Sequence, residues 1–371
     1  MTKSSAGKTM LNPFGVTMVE DYEHLYEEFG IQPFKPLLTQ ISNPSAAMRR
    51  GVIFGHRDFK RVLDAMKNRE EFAVMSGIKP TGEFHLGTLM TAREVIYFQQ
   101  QGGTAFYCIA DIEAYEDNRI SFERSQKYAV GNVADLLALG FDPKKGYIYQ
   151  QSKEQRVKDL AIAFARGVTL ATMKAIYGER HMGLYISALI QAGDILLPQL
   201  KDFGGPKPTV VPVGVDQDPH LRLTRDLAFK FRRRYNFIPP SSTYHKLIKA
   251  LDGSPKMSKR DPMSYFTLEE KPGVISKKIS NAFTGGKPTA EEQRRLGADP
   301  DVCPLYDLYL FHFFERDEDV AKLYTNECKG GKILCGEDKE RLTKIVLDFL
   351  KEHQRKRRQY IDKAREILEV E

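Results

Sequence analysis

Apolar positions along the chain fall into two kinds of pattern. Between Glu71 and about residue 230, short and nearly continuous apolar runs alternate with stretches in which apolar side chains recur every third or fourth residue. FAVMSGI, TAFYCIADIEA, GYIYQQS and PTVVPVG are runs of the first kind and read as strands. TLMTAREVIYFQQQ is of the second kind, with Leu89, Ala92 and Ile96 on one helical face and Gly102-Gly103 as its stop. FERSQKYAVGNVADLLAL reads as a helix with Ser121 as its N-cap and Gly140 just past its end. Residues 155 to 200 read as mostly helical, and PHLRLTRDLAFKFRRR as a helix opening at a proline. Strands without a polar face, alternating with helices, predict a Rossmann-like doubly wound parallel α/β sheet, in which ligands bind beyond the carboxyl ends of the strands.

The flanking segments differ. A polar tail and an amphipathic stretch around Asp21 to Phe29 precede GVIFGHRDFKRVLDAMKNR, which reads as a strand and a helix with Val62, Leu63 and Met66 on one side. Beyond Ser264 strand patterns stop, and EKPGVISKKISNAF, ADPDVCPLYDLYLFHFF, DEDVAKLYTNECK and EDKERLTKIVLDFLKEHQRKRRQYIDKAREILEV all have helical periodicity. The predicted organisation is an appended N-terminal extension over 1–70, a catalytic α/β domain over 71–265 and an all-helical domain over 266–371.

Composition narrows this picture without redirecting it. With 371 residues, 42% of them hydrophobic, the chain can build packed cores in two or three domains. No apolar run approaches the roughly 18 to 20 residues of a spanning helix, and MTKSSAGKTM lacks a signal-peptide core, so a soluble cytoplasmic protein is expected. Cys108, Cys303, Cys328 and Cys335 form no CxxC pair, which favours reduced structural thiols, and the eight histidines show no HxxxH or HxH spacing. No dedicated protein metal site is expected. A net charge of +7 permits a nucleic-acid partner. There is no tryptophan.

Two segments hold candidate chemistry. In PTGEFHLGT, at a strand-to-helix turn, Pro80 and Gly82 shape the loop, Gly87 allows close backbone approach, and the free N–H groups of the helix start suit a phosphate. His85 adds an imidazole that can meet phosphate oxygens as charge shifts. The bland alternative is an ordinary turn with a surface histidine. GSPKMSKR presents Lys256, Lys259 and Arg260 around Ser258, a donor set suited to a departing phosphate chain; a solvated basic loop is the alternative. SSAGKT ends like a phosphate-binding loop but lacks its first glycine.

Taken together, His85-Leu86-Gly87-Thr88 and Lys256-Met257-Ser258-Lys259-Arg260 resemble the paired signatures of class I aminoacyl-tRNA synthetases. Thr88 replaces the usual last histidine of the first motif, and Arg260 closes the second. GVDQDPHLRLTRDLA resembles the corresponding segment of tryptophanyl-tRNA synthetases, and RRGVIFGHRDFKRVLDA and KISNAFTGG resemble their archaeal and eukaryotic branch. The likeness runs from about Arg49 to Lys363. It implies ATP, entering with Mg²⁺, and L-tryptophan as substrates, tRNA(Trp) as the acceptor, an anticodon-binding helical domain and a homodimer. By position it implies that Pro80, Gly82, His85, Gly87, Thr88, Gly214, Asp216 and Lys256 to Lys259 bind ATP, with His85, Lys256 and Lys259 catalytic. Met75, Gly77, Cys108, Glu113, Gln191 and Gln217 are implied to form the amino-acid pocket. Gln191 would meet the ammonium and carboxylate region, and Glu113 would accept the indole N–H. That last role has a physical basis, because a buried donor-only group needs an acceptor. Met75 and Cys108 stand where tyrosine and glutamine would lie in the eukaryotic pattern, so a grip by packing more than by hydrogen bonds is expected.

Basic runs at Arg232 to Arg234 and at Lys351 and Arg355 to Arg358 would be solvated faces in isolation and, beside an adenylating site, contacts to an RNA backbone. The alternatives are a tyrosyl-tRNA synthetase, a small-metabolite nucleotidyltransferase of the same superfamily and a non-catalytic RNA-binding paralogue. The DQDPHLRLTRD segment, the basic helical domain and the intact lysines argue against them in turn.

Overall fold

The computed structural model describes Tyr22, residues 24–255, Met257 and residues 261–370. The polar tail, with residues 7–9, and Lys256, Ser258, Lys259 and Arg260 of the second motif lie outside these.

Among the described residues seven strands form one sheet: β1 (Gln32–Pro33), β2 (Ile53–Arg57), β3 (Ala73–Ile78), β4 (Thr104–Ile109), β5 (Gly146–Gln150), β6 (Thr209–Gly214) and β7 (Ser241–His245). Their order is β1-β2-β7-β6-β3-β4-β5. Strands β3 to β7 run parallel, whereas β2 pairs antiparallel with β7 and β1 antiparallel with β2. The parallel, doubly wound centre follows the predicted pattern, and the sheet as a whole is mixed. The strand foreseen in GVIFGHR is β2, built into the sheet beside β7.

Two local expectations are corrected. Strand β7 is SSTYH, which has no apolar run to reveal it, yet all five residues are buried. Polar partners make that burial tolerable: Thr243 and His245 bond Glu94 at 2.9 and 2.8 Å, and Ser241 donates to the Asp58 carbonyl at 2.7 Å. The run TAFYCIADIEA is a strand only as far as Ile109; Asp111–Asn118 is a helix with Asp111 and Glu113 in its first turn, where carboxylates favour the helix N-terminus.

Side chains alternate across the sheet and feed two cores. Val74, Ile78, Tyr107 and Ile109 pack with helices Leu86–Gln100, Phe122–Ala138 and Cys335–Leu368. Ala73, Met75, Phe106 and Cys108 face the other way, into helices Gln155–Ala165, Met182–Leu196 and Asp218–Lys230. After β7 the described elements are helices, including Pro272–Asn281 and the 34-residue Cys335–Leu368. That last helix crosses Phe122–Ala138, with His353 bonding the fully buried Asp135 at 2.7 Å. Cys303, Cys328 and Cys335 line one small cavity beside Asp338 as free thiols. Among the described residues no single helix is long and apolar enough to cross a membrane.

Candidate active site

The chain winds β3-β4-β5 outward in one direction and β6-β7 in the other, so β3 and β6 are neighbours at the point where strand order reverses. A cavity of about 360 Å³ opens there, beyond their carboxyl ends. Its wall includes Met75, Gly77, Cys108, Glu113, Gln191 and Gln217, the full set of implied amino-acid residues, together with Gly214 and Asp216. Gly77 is required by closeness: a Cβ there would lie 2.5 Å from the Cys108 carbonyl oxygen across the β3-β4 pair. The Gln191 Oε1 is buried with no hydrogen-bond partner among the described residues, an acceptor suited to a ligand N–H.

Pro80, Gly82, His85, Gly87, Thr88 and Met257 do not line this cavity. The first five belong to the turn after β3 and the start of helix Leu86–Gln100. His85 is that helix's N-cap: its Nδ1 accepts from the Gly87 N–H at 3.1 Å, and its Nε2 stands 3.2 Å from the Thr88 hydroxyl. Thr88, in place of a second histidine, thus holds the first. With Nδ1 accepting, the neutral ring carries its proton on Nε2. The loop is clamped from the far end of the chain. Leu268 N donates to Phe84 O at 2.8 Å, Thr267 donates to Glu83 at 2.7 Å, and Tyr265 packs edge-on to the His85 ring. Met257 is half-buried against the core that these helices share.

Several residues at the site carry no motif signal. Lys79, just past β3, pairs with Glu113 at 3.2 Å and Asp117 at 2.7 Å. Burial opposes the Lys79 charge, but the two carboxylates more than offset it, and its pKa is raised. Asp194 lines the cavity at 2% exposure, with Tyr149 donating to one carboxylate oxygen at 2.8 Å and Gln151 to the other at 2.5 Å. Burial pushes its carboxyl up to about 7, against the pull of those donors. Burial likewise pushes the Cys108 thiol well up, so it stays protonated. The available hint was an acidic residue inside the apolar helix ISALIQAGDILLP. One expected contact set is reduced: Arg357 turns inward to Asp135 at 3.0 Å and to Glu269, and Arg355 pairs with Glu352 at 2.7 Å.

Comparison with known proteins adds a family to this geometry. A family model described as tRNA synthetases class I (W and Y) matches residues 66–351. The tryptophan–tRNA ligase of Archaeoglobus fulgidus is 41% identical, the match covering 93% of this chain and 96% of that protein. The crystal structure of tryptophanyl-tRNA synthetase from Aeropyrum pernix K1 superposes with a TM-score of 0.90 at 43% identity, covering 96% of this chain and 99% of the other. A tryptophanyl-tRNA synthetase from Encephalitozoon cuniculi, solved bound to tryptophan, gives 0.82 at 25% identity, with coverage of 96% and 99%. The family description spans both tryptophan and tyrosine, and the relatives named here, matched over nearly their full length, are enzymes of tryptophan. On that identity and coverage, the chain belongs to the tryptophanyl-tRNA synthetases of class I, in their archaeal and eukaryotic branch.

Proposed function

We propose that this chain activates L-tryptophan with ATP, forming tryptophanyl-adenylate and pyrophosphate, and then transfers the amino acid to the 3′ end of tRNA(Trp) with release of AMP. The observation that carries the reading is the cavity at the β3/β6 crossover, with apolar walls from Met75, Cys108, Val211, Ile195 and Leu221 and the polar side chains of Lys79, Glu113, Gln191, Asp194 and Gln217 set among them. Such a site suits a flat aromatic side chain that carries a zwitterionic head.

The tryptophan carboxylate attacks the α-phosphorus of ATP and pyrophosphate departs in line, so no protein nucleophile is required. The unpartnered Gln191 Oε1 and the Lys79–Glu113 pair belong at the zwitterionic end. Gly214, Asp216 and Gln217 follow β6 directly and would hold the nucleotide ribose beside the amino acid. His85, oriented by Gly87 and Thr88, and the helix start it caps would steady the phosphates that Pro80 and Gly82 let approach. Lys256 and Lys259, with Met257 and Ser258 between them, are assigned by resemblance to the leaving pyrophosphate. Mg²⁺ enters as part of the nucleotide substrate. The terminal ribose of the tRNA then attacks the adenylate carbonyl.

Residues 71–265 form the catalytic unit in this reading, preceded by the 1–70 extension, and 266–371 read the anticodon. The resemblance of KISNAFTGG, which overlaps helix Pro272–Asn281, to the anticodon-binding domain of the family supports an RNA role for the last segment. Exposed Ile162, Leu170 and Phe229 on neighbouring helices support the homodimer. A cytoplasmic location follows from the reaction. Amino-acid-dependent pyrophosphate exchange tests the proposal: tryptophan should stimulate it, and stimulation by tyrosine alone would overturn it. Lys256→Ala should slow adenylate formation by roughly a hundredfold or more while changing tryptophan binding only a few-fold. Equal losses in both would remove the role assigned to Lys256.

A further inference from the structure

Tyr115 and Phe122 form a stacked pair that the fold leaves in water. Their ring centroids lie 5.3 Å apart with 12° between the planes, and the two residues are 48% and 42% exposed. Ring area of that size is normally buried in a core or covered by a partner. The pair bridges the junction of helices Asp111–Asn118 and Phe122–Ala138.

The junction is built to hold its shape. Arg119, in the left-handed region at φ 56°, ends the first helix; its N–H donates to Tyr115 O at 3.0 Å, and the Ile120 N–H donates to Ala114 O at 3.2 Å. Two residues later Ser121 caps the second helix, its hydroxyl accepting from the Arg124 N–H at 3.3 Å. Both rings are therefore set in place before any ligand arrives, and little ordering is needed when a third ring joins them.

The charge around the pair is basic. Arg119, Arg124 and Lys127 are exposed, and among the described residues none of the three meets a carboxylate. The neighbouring acids are engaged elsewhere: Asp117 holds Lys79 at 2.7 Å, Glu116 lies 3.6 Å from His181, and Glu123 bonds Ser121 in the same cap. Aromatic faces among unpaired cations fit a single-stranded nucleic acid, whose bases stack and whose phosphates take the charge. A second protein chain would have to desolvate the three cations to cover the same rings.

Both helices also border the site already described. Glu113, two residues before Tyr115, is on the cavity wall. Asn132, on the second helix, donates to the Gly82 carbonyl of the nucleotide loop at 3.2 Å. Phe122 lies ten residues ahead of Asn132, about 15 Å along the helix axis. The 3′ end of a tRNA is single-stranded, and with its terminal ribose at the adenylate the preceding nucleotides have such a distance to cross.

Resting on the ligase reading above, we infer that Tyr115 and Phe122 are a stacking platform for the unpaired tRNA nucleotides just ahead of the terminal adenosine, with Arg119, Arg124 and Lys127 meeting their phosphates.

The test compares equilibrium binding of a tRNA(Trp) transcript and of the same transcript without its unpaired 3′ nucleotides. The wild-type chain should bind the full transcript roughly tenfold more tightly. The double variant Tyr115→Leu, Phe122→Leu keeps apolar bulk and loses the ring faces; it should bind both transcripts alike, at the wild-type affinity for the truncated one. Tyr115→Phe, which keeps the ring, should behave as wild type. A double variant that still prefers the full transcript overturns the platform, as does one that loses affinity for both in equal measure. A double variant that sediments at a lower mass than wild type also overturns it, by giving the rings to a second copy of the chain. Arg124→Gln should reduce the slope of log Kd against log salt by about 0.7 for the full transcript alone, and an unchanged slope would remove the phosphate contact. A wild-type chain without tryptophan-dependent pyrophosphate exchange is a separate result that removes the ligase reading itself.

Discussion

Gly77 shows how tightly single residues are constrained around the cavity. An alanine there would place its Cβ 2.5 Å from the Cys108 carbonyl oxygen and 2.9 Å from the Cys108 Cβ, within a parallel pair that cannot part locally. Gly77→Ala should cost about 3 kcal/mol of stability, read from the denaturant midpoint, and should also impair tryptophan binding, because Cys108 lines the pocket. A stable variant with unaltered binding would show that the strands separate without cost. At this scale much of the site was legible. Motif likeness brought Met75, Cys108, Glu113, Gln191 and Gln217, spread over more than a third of the chain, to one cavity wall. It passed over Lys79, Tyr149, Gln151 and Asp194. Their positions are set by a turn after β3, by the end of β5 and by helix depth, which no one-dimensional spacing encodes.

Elements with apolar periodicity were readable in advance, and those buried through polar partners were not. The four central strands and the helices that cover them follow from continuous apolar runs and helical periodicity, whereas SSTYH becomes β7 because Glu94, reaching from Leu86–Gln100, satisfies Thr243 and His245. The basic run in the last helix is the reverse case. Its charges suggested a solvated or RNA-facing surface, but Arg357 lies across Gly131, where a Cβ would come within 2.7 Å of it, to reach the fully buried Asp135. Arg357→Ala should therefore destabilise the fold by about 3 kcal/mol, since it leaves a buried carboxylate with His353 as its remaining partner. Thermal unfolding measures this. An unchanged Tm would return Arg357 to the surface role its neighbours suggest.

Across the whole molecule, the last helix reaches back to the nucleotide loop through the segment at Leu268 and Glu269. Gln354 donates to the Leu268 carbonyl at 2.9 Å and Arg357 pairs with Glu269, while Leu268 N bonds Phe84 next to His85. The last helix thus braces the loop assigned to the phosphates. The chain also contains no tryptophan, so any indole emission in a mixture of protein and substrate belongs to the ligand. Red-edge-excited tryptophan should shift in spectrum and rise in anisotropy as the protein is added, and a signal that stays constant would exclude a tryptophan site. Connectivity has one more consequence, for how such a chain comes to be folded. Strand β1 pairs with β2, and β2 finds its other neighbour in β7, which ribosomes make after the whole parallel centre. Among the strands, β1 and β2 are therefore made first and seated last, and until residue 245 is made Phe54 has only part of its final surroundings, the rings of Tyr22 and Tyr26 without that of Tyr244.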